Sequence, residues 1–166
     1  MWIKCVDHKT PKSISIDLIC SRIYTLTEQG LFSVWDLRTF DVIKSEDFKK
    51  PRSRSVIAFK VQNKVMIVFF SEIVVLDADE QKNTYLRLDE YSLSLKEISD
   101  AKISNDDTIL AVATTSATAP VITIYATEGG FKEKMQILQF KSSIKYVDFS
   151  TNNLFLQAED NLQEIL

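Results

Sequence analysis

The chain has 166 residues, enough for one core that buries roughly 70% of the unfolded surface, and too few for two. Hydrophobic residues make up 45% and charged residues 26%, which excludes a disordered or fibrous chain. A net charge of −3 and a pI near 5.2 give no overall attraction to nucleic acid or to an anionic membrane, so any electrostatic partner must be sought locally.

The N-terminal MWIKCVDHK places Lys4 and Asp7 where a signal peptide needs an uninterrupted apolar run, and no later stretch reaches the length of a membrane span. The expected location is cytoplasm or cytoskeleton. Cys5 and Cys20 form no CxxC pair, and with His8 they supply too few ligands for a closed zinc site. Both cysteines read as small apolar strand residues in a reduced, intracellular chain. Asp7 and His8 are adjacent, so in a strand they point to opposite faces and form no acid–base pair.

Short runs rich in Val, Ile, Phe, Tyr and Thr then follow one another, separated by polar turn residues, and predict an all-β chain. ISIDLI, RIYTLT, LFSVWD and DVIKSE, starting at Ile14, Arg22, Leu31 and Asp41, make one set of four strands. SVIAFKV, KVMIVFF, EIVVLDAD and TYLRL make a second, and DAKIS, TILAVAT, VITIYAT and KEKMQIL a third. IKYVDFS, LFLQAE and QEIL begin a fourth. Trp35, Leu76, Tyr125 and Leu166 end the third strand of each set at spacings of 41, 49 and 41 residues. A period of about 40 to 45 residues with four strands per unit is the mark of propeller blades.

TEQGLFSVWD carries the most specific residues, a Gly five positions before a Trp-Asp pair, and resembles a WD repeat. Gly30 is expected to take the positive φ of a tight turn, Trp35 to fill the space between blades, and Asp36 to sit in the turn before the outer strand. Leu76-Asp77 and Tyr125-Ala126 replace the Trp-Asp pair later on, and no Gly-His dipeptide precedes any unit. The expected fold is therefore a WD-repeat β-propeller of about three and a half four-stranded antiparallel blades. The units run as an entry strand over 1–12, blades over 13–50, 51–95 and 96–140, and an incomplete blade over 141–166. Either the chain is part of a larger propeller, or the segment from Trp2 closes a ring of four. The first is expected, because four blades leave little room at the inner circle.

Residues 100–166 resemble a narrower group, the echinoderm microtubule-associated protein-like family. Leu110, Ala111 and Val112 match that family's second strand, Tyr125 its third, and Phe131 with Lys132 its aromatic-Lys pair. Asp148, Phe149 and Ser150 match its D-W-S, and Leu156 with Gln157 its LQ. The resemblance implies association with microtubules and, in ciliated cells, with the axoneme.

No GxGxxG, GxSxG, HExxH or phosphate loop occurs, so no catalytic set and no cofactor are expected. Asp106 with Asp107 and Asp89 with Glu90 lack the further oxygens of a calcium site and read as solvated turns. FKKPRSRS is the sharpest local feature. Seven basic residues face two acidic ones between Lys44 and Lys64, and Pro51 keeps the densest part out of a sheet. Lys49, Lys50, Arg52 and Arg54 are the candidate protein-binding residues, suited to an acidic surface such as the carboxylate-rich tails of tubulin. Nucleic acid is disfavoured because the loop holds no exposed-looking aromatic. The sequence thus predicts a non-enzymatic scaffold, with a general WD-repeat adaptor in trafficking, signalling or nuclear complexes as the alternative. A propeller enzyme would need a polar cluster at the central channel.

Overall fold

The computed structural model describes residues 10–78, 85–87, 93–94, 97–115 and 120–162. Trp2, Cys5, His8, Asp89, Glu90 and the terminal QEIL, all singled out in the sequence, lie outside the described residues.

The first sheet is a meander of β1 (Pro11–Asp17), β2 (Arg22–Thr27), β3 (Leu31–Asp36) and β4 (Val42–Asp47). The second has β5 (Ser55–Ala58), β6 (Lys64–Val68), β7 (Glu72–Ala78) and an outer strand in two pieces, β8 (Tyr85–Arg87) and β9 (Leu93–Ser94), both paired to β7. The third holds β10 (Ile98–Ile103), β11 (Ile109–Thr114), β12 (Val121–Ala126) and β13 (Lys132–Ile137). In the fourth, β14 (Ile144–Phe149) pairs with β15 (Leu156–Asp160).

One register recurs from sheet to sheet. Trp35, Leu76 and Tyr125 pair with Ile23, Val65 and Leu110, each at the second residue of the neighbouring strand. A bulge in the outer strand lies beside Trp35 and again beside Tyr125. The inner strands bulge at matching places as well, between Pro11 and Ser13, Ile98 and Asp100, and Ile144 and Tyr146. Such bulges tighten local twist, and their recurrence marks the first, third and fourth sheets as copies of one unit, while the second keeps the register without a bulge between β5 and β6. Third and fourth strands are joined in the third sheet by a tight turn, Glu128–Phe131, whose Gly129 and Gly130 have positive φ.

Two of the central strands, β6 and β7, carry unbroken apolar runs, over residues 65–68 and 73–76, because both of their faces are covered there. Tyr24, Leu26, Phe32 and Val34 of the first sheet meet Val56, Val65, Ile67 and Leu76 of the second in one cluster. Met66, Val68, Ile73 and Val75 turn the other way, onto Ala101, Leu110, Val112 and Tyr125 of the third. Ala111, Ala113, Ile122 and Ile124 then meet Ile144, Val147 and Ala158 of the fourth. Three cores thus lie between successive sheets, and the single core expected from the chain's length is divided among the blade junctions because each sheet packs on its neighbours face to face. This stacking, with outer strands such as β13 largely exposed, is the layout of propeller blades.

Leu76 and Tyr125, the register counterparts of Trp35, fill the space toward the preceding blade, so Trp35 faces away from the second blade; it is buried, and its Nε1 donates to Thr25 Oγ1 at 3.0 Å. Asp36 behaves as expected. Its Oδ1 accepts the Arg38 and Thr39 amides, and these bonds, that of Thr39 first, hold its carboxyl below the usual carboxylate range.

Candidate protein-binding site

The basic segment lies between β4 and β5, at the end of the blade where β2 turns into β3. Gly30 closes that turn with φ 94° and donates to the Thr27 carbonyl at 3.1 Å. The loop rests directly on it. A Cβ at Gly30 would stand 2.7 Å from the Lys50 carbonyl oxygen, so the close approach itself requires glycine. The Phe48 amide donates to the Gly30 carbonyl at 3.1 Å, and the Ser53 amide to that of Glu28 at 3.1 Å. Ser53, fully buried, also donates through Oγ to the Lys50 carbonyl at 3.0 Å. Phe48 anchors the loop from below, with its ring centroid 6.3 Å from Phe32 and 5.4 Å from Phe69.

On this frame the four candidate cations separate into two kinds. Lys49 and Arg52 are exposed, with φ of 54° and 64°. Lys50 and Arg54 are half-buried. Lys50 pairs with Glu72 and lies 5.1 Å above the Phe69 ring. Arg52 and Arg54 both stand over Phe70, at 5.1 and 5.4 Å from its centroid. The loop and the β6–β7 turn enclose a cleft of about 320 Å³, lined by Lys49, Lys50, Pro51 and Arg52 on one side and Phe69, Phe70, Ser71 and Glu72 on the other. Sequence reasoning missed this aromatic floor, because KVMIVFF reads as one strand. Strand β6 ends at Val68, which frees Phe70 for the turn. Its signal was present as two phenylalanines immediately before Ser71.

A second cavity, about 310 Å³, opens where the four inner strands converge. Ser13, Ser15, Lys60, Lys102, Asn105 and Asp148 bring polar groups to it, a convergence that the sequence did not reveal. Among the described residues no group of three His, Cys, Asp or Glu side chains could hold a metal ion.

The turns at the opposite end of the blades interlock. Asp107, expected in a solvated turn, is buried, and its carboxylate accepts the amides of Lys60, Val61 and Gln62 in the preceding blade at 3.0, 2.5 and 2.9 Å. Asn153 repeats the contact one blade on, accepting the Asn105 amide at 2.8 Å. Asp106 keeps the expected local role and accepts the Thr108 amide; the Ser104 hydroxyl, its strongest partner, holds its carboxyl low. Cys20 lies in a turn and not in a strand, donating through Sγ to Asn63 Oδ1 at 2.6 Å.

Repeated four-stranded antiparallel blades around a shared channel define a partial β-propeller. Solved structures superpose on the chain, one of them a β-propeller domain. The β-propeller domain of Myceliophteria thermophila Cps50 (Swd1) aligns with a TM-score of 0.75 at 11% identity, covering 93% of this chain and 52% of that one. Hydrazine synthase from Kuenenia stuttgartiensis aligns with a TM-score of 0.71 at 18% identity, covering 95% and 45%. The computationally designed Ika4 protein aligns with a TM-score of 0.74 at 13% identity, covering 99% and 93%. The chain thus spans about half the length of the two natural proteins. No family model and no curated protein matches the sequence. At these identities the likeness establishes the fold alone.

Proposed function

We propose that the chain is a non-enzymatic protein-binding scaffold whose basic loop docks an acidic protein surface. The observation that carries this reading is the pinned loop itself, which presents Lys49 and Arg52 to solvent from a chain whose net charge is −3. Exposed cations raise encounter rates with an acidic partner, and a rigid frame limits the ordering cost of binding. Among acidic surfaces, the carboxylate-rich tails of tubulin are the proposed target. Support for that choice comes from the resemblance of residues 100–166 to the echinoderm microtubule-associated protein-like family. The proposed setting is the cytoplasm and cytoskeleton, including the axoneme of cilia, with further propeller blades as companions. The blade division at residues 13, 51, 96 and 141 is part of the same proposal.

Co-sedimentation with microtubules tests the reading. Wild-type protein should pellet, less so as salt rises, and Lys49→Glu with Arg52→Glu should reduce pelleting. Equal pelleting of wild type and double variant, on tubulin with and without its acidic tails, would remove the loop from the interface.

A further inference from the structure

We propose that the cleft beside the basic loop is a receptor for an extended acidic peptide, and that Phe70 is the positioning residue that holds Arg52 and Arg54 ready for its carboxylates. The proposal rests on the acidic-partner reading above and specifies the chemistry of that site.

Two guanidinium groups share one ring, at 5.1 and 5.4 Å from its centroid, so they are held near each other before any partner arrives. A guanidinium laid against an aromatic face keeps its N–H edge available, and that edge matches a carboxylate in a two-bonded fork. Stacking also removes rotamer freedom that a free arginine would lose on binding. Arg54 Nε is buried with no hydrogen-bond partner among the described residues, so the ring is what holds this side chain on that side. The backbone adds to the arrangement, since Arg52 adopts φ 64°, a strained setting for a side-chain-bearing residue and one that collects at binding sites.

Glu72 shows how a carboxylate sits in this cleft. It pairs with Lys50 inside the cleft, so the molecule already seats one carboxylate against one of its cations. Lys49 and Arg52 remain on the exposed side, which is where a partner's acidic side chains enter. A cleft of about 320 Å³ has room for a few side chains and not for a folded surface, hence an extended segment.

The test uses the full chain and a fluorescent hexaglutamate peptide, with affinity read by anisotropy across a salt series. Phe70→Leu removes the ring face and keeps the apolar bulk; it should weaken binding about fivefold without changing the salt slope, while Phe70→Tyr binds as wild type. Arg52→Lys keeps the charge at an exposed position and loses the planar fork, so it should weaken binding too, independently of any effect of Phe70 on folding. Lys49→Glu with Arg52→Glu should lower both affinity and salt slope. If that double variant loses binding while Phe70→Leu and Arg52→Lys match wild type, the positioning role falls and the acidic-partner reading stands. If hexaglutamate binds none of them, wild type included, the acidic-partner reading itself falls. Equal binding of an oligonucleotide of the same charge, insensitive to Phe70→Leu, would overturn the peptide specificity.

Discussion

Ser13 and Val56 are joined across the first blade junction: the Ser13 hydroxyl oxygen accepts the Val56 amide at 3.0 Å. Ser15 does the same for Ala58 at 2.9 Å, and at the last junction Asp100 Oδ2 accepts the Val147 amide at 3.0 Å. Register places Ser13 and Asp100 at one position of the repeat and Val56 and Val147 at the next. An inner strand has no further strand on its channel side, so its amides need acceptors from elsewhere. The neighbouring blade provides them.

Removing that acceptor should be felt as an unpaired amide at a part-buried junction beside the channel. Ser13→Ala and Ser15→Ala should each destabilise by about 1 to 2 kcal/mol, measured by denaturant melts. A double variant that melts as wild type would mean that water replaces both hydroxyls.

Asp100 makes the same clasp at an electrostatic cost. Burial, the largest influence, pushes its carboxyl above the usual carboxylate range, outweighing the Val147 amide and Lys102. A carboxyl raised on folding favours the folded state while protonated and loses that contribution as pH rises through its folded value. Asp100→Asn keeps an acceptor oxygen and carries no charge. Its melting temperature should exceed that of wild type at pH 7, and the gap should close as pH falls toward 4. A gap that widened in acid would place the charge of Asp100 among the stabilising features.

The repeat was legible because strands of one length recur in one order. Trp35, Leu76 and Tyr125 hold equivalent positions in both sequence spacing and strand register. Junction chemistry was not legible. Asp107 reaches amides 45 to 47 residues away, and nothing local distinguishes it from Asp106, which bonds its own turn. The cleft was half legible: charge clustering located the cations, but their aromatic floor belongs to the next blade and is brought under the loop only by stacking.

Trp35 should still behave as a core residue, since it is buried and its indole N–H is bonded to Thr25. Trp35→Ala is expected to cost about 3 to 5 kcal/mol. Gly30→Val should destabilise for a different reason, because φ 94° and the Lys50 carbonyl at 2.7 Å both oppose a Cβ. It should also loosen the basic loop, which proteolysis between Lys49 and Arg54 would detect. Loss of partner binding by Trp35→Ala at wild-type stability would make the indole a contact residue.

On the face of the first blade that points away from the second, Ile23 and Trp35 are buried but the inner strand is open among the described residues. Ile14 and Ile16 are 54% and 56% exposed, whereas their register equivalents Val56 and Ala58 are buried against the preceding blade. Such faces associate unless covered. The chain on its own should therefore self-associate in sedimentation runs, and Ile14→Ser with Ile16→Ser should return it toward a monomer with little change in melting. A wild-type monomer at high concentration would show that this face is already covered.

The four loop cations should not respond alike to charge reversal. Lys49 and Arg52 are exposed, and exposed substitutions seldom change stability by more than about 0.5 kcal/mol. Reversing both to Glu should leave the melt near wild type while altering partner binding. Lys50 is half-buried against Phe69 and paired with Glu72, so Lys50→Glu sets two carboxylates against each other in a partly closed cleft. Arg54→Glu removes the stack on Phe70 at a half-buried position. Each of these two should destabilise, by about 1 to 3 kcal/mol. Lys50→Glu should recover most of the loss when combined with Glu72→Lys, which restores the pair in reverse. Equal stability of all four single reversals would mean that the loop stands clear of the blade, and the cleft would then have no fixed wall.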